Sequence, residues 1–157
     1  MKKRLGLTVL MMTLVLMMAS TSARSDDEIP RVLSEAKQKI TAELHRLDTG
    51  LKKAAENLGQ TGLTSDQARR ILANLCGDFD YAADCAAVDM QGKMVTIEPA
   101  PYRQFEGKDI YDQEQVQRIL KSGKPVLSSV FRSVEGFPAV DVEYPVVTST
   151  GKRLGQV

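Results

Sequence analysis

The sequence predicts an α+β fold: an antiparallel sheet entered through a long N-terminal amphipathic helix and interrupted by a crossing loop and short helix. Three observations predict it. Apolar residues recur in steps of three and four over residues 33–58, the period of one helix face. β-branched and aromatic residues fill 126–131 and 139–147 around a Val-Glu-Gly-Phe-Pro turn, the composition of consecutive antiparallel strands. An earlier pair, 81–88 and 94–97, encloses the turn Asp89-Met90-Gln91-Gly92-Lys93 and reads as a hairpin.

Taken in order, the chain begins with a basic Met1-Lys2-Lys3-Arg4, an apolar run over 5–18 and small residues at 19–23. That layout is a secretory signal peptide cleaved near Ala23. An uncleaved N-terminal membrane anchor is the alternative, although the apolar run is short against the roughly 20 residues of a bilayer span. A periplasmic or secreted location is therefore expected. Without residues 1–23 the 21 Lys and Arg fall to 18 against 20 Asp and Glu, a formal charge of −2. No basic run survives, so nucleic acid is excluded as a partner.

The long helix and its loop occupy 24–62, and the sheet domain 63–157. Leu33, Ala36, Ile40, Leu44, Leu47, Leu51, Ala54 and Leu58 form one stripe. It can cover the sheet, pair with a second copy as a homodimer, or do both along different portions. Gly50 marks a place where the helix can bend. His45 lies off the stripe and reads as a solvated edge residue. Thr64 with Gln67 has the spacing of a capping box for a second helix over Ala68, Ile71, Leu72 and Leu75, with Gly77 as its stop. Pro99 and Pro101 end the first hairpin, and 102–110 crosses to a third helix capped at Asp112. The chain stops at Val157 inside what reads as a strand, so the expected sheet is short of its last strand.

Cys76 and Cys85, in an exported chain, are expected to form a disulfide, with two buried thiols as the alternative. Two Cys and one distant His make no four-ligand set, so neither a metal nor another cofactor is expected. Enzymatic chemistry finds little support. Ser128, Ser129 and Ser133 lie in no Gly-x-Ser-x-Gly turn, and the only His is on the long helix. Asp141 and Glu143 alternate on one strand and read as a solvated face opposite Val140, Val142, Tyr144 and Val146. For ligand binding, Tyr102 and Arg103 are the leading pair, the arginine able to fork onto a carboxylate. Phe131 and Tyr144 can wall a pocket, Gln113, Arg132 and Asp141 can add hydrogen bonds, and Phe137 is expected to bury its turn.

These residues also carry a resemblance. Asp89-Met90-Gln91-Gly92-Lys93-Met94-Val95 resembles the first hairpin of Cache domains, the PAS-like extracellular sensors. Gly107-Lys108-Asp109-Ile110 with Gln113 and Val116 resembles their entry to the crossing helix. Ser122-Gly123-Lys124-Pro125-Val126, Tyr144-Pro145-Val146, Gly151 and Leu154-Gly155 are similar to their later strands. The resemblance spans about 29–157. It implies a PAS-like antiparallel sheet and a non-catalytic sensor that binds a small molecule, expected to be of organic-acid type, between sheet and crossing segment. It also implies a membrane signalling partner or a larger receptor. The arginine–tryptophan–tyrosine cluster of amino-acid-binding relatives is missing near Asp112-Gln113-Glu114, so an α-amino-acid ligand is not expected. A structural module dimerising through the 33–58 stripe is the alternative function.

Overall fold

Helix α1 runs Glu28–Thr61, and its apolar stripe meets two environments in succession. The computed structural model describes residues 28–157; the expected signal peptide and its cleavage point lie outside the described residues. Two units divide the chain, one ending at His45 and the other comprising Arg46–Val157. In the first, Ile29, Leu33, Ile40 and Leu44 are exposed. In the second, Leu51, Ala54, Ala55 and Leu58 are buried, and burying one such leucine stabilises by about 1.5–3 kcal/mol. The helix continues through Gly50, where the bare α-carbon admits the Phe79 ring; a Cβ there would lie 3.1 Å from it.

Helix α2 (Asp66–Asp78) is capped one residue later than expected. Ser65, not Thr64, is the N-cap, its Oγ accepting the Ala68 N–H at 3.0 Å. Strands β1 (Cys85–Asp89) and β2 (Met94–Glu98) form the expected hairpin. Its turn is set by Asp89 Oδ1, which accepts the N–H groups of Gln91 and Lys93, both at 2.9 Å. A 3-10 helix (Ala100–Phe105) follows Pro99. The crossing segment then returns along β2: Gly107 N–H donates to Met94 O at 2.7 Å and Ile110 N–H to Gly92 O at 2.8 Å. Helix α3 (Glu114–Ser122) starts from Gln113, not Asp112, and Gly123 closes it in the left-handed region.

The two long C-terminal strands of the sequence reading are cut into shorter pieces that change partner. These are β3 (Val126–Leu127), β4 (Phe131–Arg132), β5 (Pro138–Ala139), β6 (Val142–Glu143), β7 (Pro145–Val147) and β8 (Arg153–Gln156). β3 pairs with β6 and β4 with β5, while β7 joins a four-stranded sheet of order β2-β1-β8-β7. Pro138 and Pro145 each begin a piece, as residues without an N–H for a continuing ladder would. All pairings in the sheet are antiparallel, in an α+β arrangement. β8 lies inside the sheet, between β1 and β7, and Val157 exchanges backbone hydrogen bonds with Tyr144.

Alternation along β1 separates two packing environments. Ala87 joins Leu51, Leu58, Leu72, Leu75 and Val146 in the larger core cluster, while its neighbour Val88 packs with Met94, Ile97, Tyr102 and Phe105. Two glycines allow the closest approaches. A Cβ at Gly59 would stand 2.1 Å from Val147 O, and one at Gly155 1.9 Å from Val88 O. Among the described residues, no helix is long and apolar enough to cross a membrane.

Candidate ligand-binding cavity

Unit Arg46–Val157 holds a partly open cavity of about 440 Å³, within the size range of small-molecule pockets. Leu47 and Leu51 of α1, Leu75 of α2 and Phe79 supply apolar wall on one side. The β4–β5 hairpin adds Phe131, Ser133, Glu135 and Phe137, and the run into β6 adds Asp141 and Glu143. Asp84 and Cys85 enter from the segment joining α2 to β1, and Gln156 from β8.

Four carboxylates, Asp84, Glu135, Asp141 and Glu143, therefore share this lining, and no Lys, Arg or His joins them among the described residues. Burial, with Glu135 and Asp141 nearby, pushes Asp84 up to about 7. Burial, reinforced by Asp141, pushes Glu143 up to about 8 against the opposing charge of Arg118. Asp141 is also raised by burial, although a hydrogen bond from Gln115 holds it down. Helix α3 aims Gln115 at this group. Its Nε2 donates to Asp141 Oδ2 at 3.1 Å and to Gln113 Oε1 at 2.9 Å. Ser128 Oγ accepts the Asp141 N–H at 2.8 Å, fixing the backbone beneath the carboxylate.

Some polar atoms of the lining have no such support. Glu143 Oε2, Gln156 Oε1, Glu135 Oε1 and Ser133 Oγ are buried without a hydrogen-bond partner among the described residues. Glu143 and Gln156 are 6% and 1% exposed.

Of the residues singled out from the sequence, the structure brings Gln113, Phe131 and Asp141 to the cavity; Tyr102, Arg103, Arg132 and Tyr144 are not in its lining. Arg103 is occupied: its Nε and Nη2 bind the two oxygens of Glu98 at 3.0 and 2.9 Å. Glu98 also meets Arg69 Nη1 at 3.0 Å, and Arg69 reaches Glu106 at 2.9 Å. This clasp joins α2, β2 and the 3-10 helix. Burial opposes ionisation of Glu98, but the two arginines win and hold its carboxyl below the usual range. Tyr102 packs on Val88, Met94 and Ile97. Tyr144 packs in the larger core and donates its hydroxyl to Asp48, and Arg132 is exposed on β4.

Asp84, Glu135, Glu143 and Gln156 went unrecognised as site residues. Asp141 and Glu143, read as a solvated strand face, both line the cavity, Glu143 from β6, which pairs with β3 outside the four-stranded sheet. Asp84 and Glu135 sit in connecting segments without periodicity, so their sequence carried no signal. Phe137, expected to bury its own turn, lines the cavity instead. The bridge expected between Cys76 and Cys85 is not closed. Both are free thiols, and Cys76 Sγ donates to Glu98 O at 3.6 Å. Burial pushes both thiols up.

Several solved structures are similar to this chain, three of them as follows. An extracellular ligand binding receptor from Desulfohalobium retbaense DSM5692 shares 37% identity with a TM-score of 0.78, over 81% of this chain and 24% of the receptor. The ligand-binding domain of the Pseudomonas fluorescens chemoreceptor CtaA, in complex with L-serine, shares the fold at 16% identity and a TM-score of 0.56. That match covers 74% of this chain and 49% of the domain. Methyl-accepting Chemotaxis protein X does so at 20% and 0.56, over 93% of this chain and 61% of that one. The chain thus spans less than two thirds of each. No curated protein matches it. Residues 42–157 match the model of the "HK/GC/Chemotaxis protein-like, sensor domain" family. With the PAS-like sheet, long helix and cavity in place, the chain belongs to the HK/GC/chemotaxis protein-like sensor domain family.

Proposed function

We propose that this chain is an extracytoplasmic sensor module that binds a small molecule in the cavity of unit Arg46–Val157 and acts by binding, without catalysis. The observation that carries the reading is the cavity of about 440 Å³, with apolar walls and convergent polar groups, in a domain of a sensor family. The leader-like residues 1–23 support a periplasmic or secreted location. Signalling then runs through a membrane partner or the rest of a larger receptor. The organic-acid ligand expected from the resemblance would find no basic side chain in the lining among the described residues. Thermal-shift and calorimetric screens of the purified protein against broad metabolite classes test the reading. A ligand at 100 times its Kd adds about 2.7 kcal/mol of stability; silence across all classes would count against it.

A second reading, pairing of two copies through α1, is favoured by Leu33, Ile40 and Leu44, which stay exposed in the unit ending at His45. Sedimentation of the full chain tests it. A dimer that Leu33→Glu with Ile40→Glu dissociates supports pairing, and a strict monomer at high concentration removes it.

A further inference from the structure

We infer that the cavity takes an organic cation, a protonated amine drawn in by the carboxylates of Asp84, Glu135, Asp141 and Glu143 spread over its lining. The inference rests on the sensor reading and adds the charge of the ligand.

Charge is the first argument. The four carboxylates share one lining without a basic residue among the described residues. They are close enough to feel one another: Asp84 responds to Glu135 and Asp141, and Glu143 to Asp141. An anionic ligand would add like charge in a poorly solvated space, where repulsion is strongest. An ammonium group would relieve it.

Hydrogen bonding is the second argument and is independent of charge count. Glu143 and Gln156 belong to the cavity lining, are more than nine-tenths buried, and each carries a buried oxygen, Oε2 and Oε1, without a partner among the described residues. Both are acceptors, and an unmet buried acceptor costs about 1–3 kcal/mol. A ligand rich in N–H donors satisfies them; a carboxylate, which only accepts, cannot.

The walls fit the rest of such a molecule. Phe131 and Phe137 offer apolar area and ring faces that attract a cation. A bare metal ion suits the place less well, because no group of three or more His, Cys, Asp or Glu is arranged to hold one among the described residues.

The test is calorimetry and thermal shift on the full chain at pH 8 and low salt, with matched probes. The ammonium set is butylamine, 1,4-diaminobutane, phenethylamine and butyltrimethylammonium; the carboxylate set is butyrate, succinate and 3-phenylpropionate; 1,4-butanediol is the neutral control. The inference expects binding within the ammonium set, weakened at least tenfold by Glu143→Gln and by Asp84→Asn. Glu143→Gln removes a buried charge and keeps its shape, so the variant should fold, and Asp84→Asn provides a second site on another segment. Binding confined to carboxylate or neutral probes overturns the cation and leaves the sensor reading standing. Ammonium binding untouched in both variants overturns the assigned site. No binding by any probe overturns the inference, while the broad metabolite screen decides the sensor reading separately.

Discussion

Gln115 Nε2 donates to Asp141 Oδ2 at 3.1 Å, so a buried amide on α3 holds a cavity carboxylate in place. The same nitrogen donates to Gln113 Oε1 at 2.9 Å, which gives the amide two acceptors and one orientation. Replacing Gln115 with Leu removes the group that favours ionised Asp141. We expect the Asp141 pKa to rise further and stability to fall by about 1–3 kcal/mol. NMR titration of the side-chain carboxyl and urea unfolding measure the two effects. An unchanged Asp141 pKa would show that the amide does not control it.

The cavity acids make stability depend on pH in a set direction. Asp84 and Glu143 are held near 7 and 8, above their ordinary values of 3.8 and 4.5. The folded state therefore binds more protons than the unfolded chain between about pH 4 and 8, and stability falls as pH rises through that window. Each group contributes at most about 1.4 kcal/mol per pH unit. The charges acting on them are Glu135 and Asp141 for Asp84, and Asp141, Arg118 and Glu114 for Glu143. Unfolding free energies from pH 4 to 9 should decline, and Glu143→Gln should flatten the slope near pH 7–8. For a cationic ligand the affinity should strengthen over the same interval.

Glu98 behaves in the opposite sense. Its carboxyl is held below 4.5 by Arg103 and Arg69, so its contribution is present above that value and lost as pH falls through the folded pKa. Arg103 is partly exposed, so Arg103→Ala should cost about 1 kcal/mol and leave ligand affinity unchanged. Arg69→Met should cost more, about 3 kcal/mol, because Glu98 and Glu106 both lose a partner. Equal losses in denaturant melts would mean that the clasp does not run through Arg69.

Backbone contact sets the sharpest stability contrast. Gly59→Ala and Gly155→Ala place a methyl within 2.1 and 1.9 Å of a carbonyl oxygen, and backbone cannot move aside as a side-chain tip can. Each should cost more than about 3 kcal/mol, the scale of overpacking in a rigid core. Gly50→Ala meets only the Phe79 ring at 3.1 Å, and the gain in helix propensity offsets part of that contact. Thermal melts should rank Gly50→Ala well above the other two.

Periodicity made much of this fold legible. The steps of three and four in α1 and the Asp89–Lys93 turn dictated elements that exist, because both signals are local. The cut of residues 139–147 into β5, β6 and β7 was not legible, since it depends on which strand each piece meets. The site followed the same rule. Arg103 looks like an anion receptor in sequence, but Glu98 is only five positions away and takes its guanidinium. Asp84, Asp141 and Glu143 share one lining only in the folded chain, because they come from the segment before β1 and from the run into β6.

The central claim is that the cavity is where the chain meets its ligand. Chemical-shift mapping of the full chain with the ammonium probe that binds most tightly tests it directly. Perturbations should concentrate at Asp84, Glu135, Asp141, Glu143 and Gln156, with Tyr102 and Arg103 unmoved. Perturbations centred on Arg103, or on the exposed residues Leu33, Ile40 and Leu44 with the cavity unmoved, would contradict it.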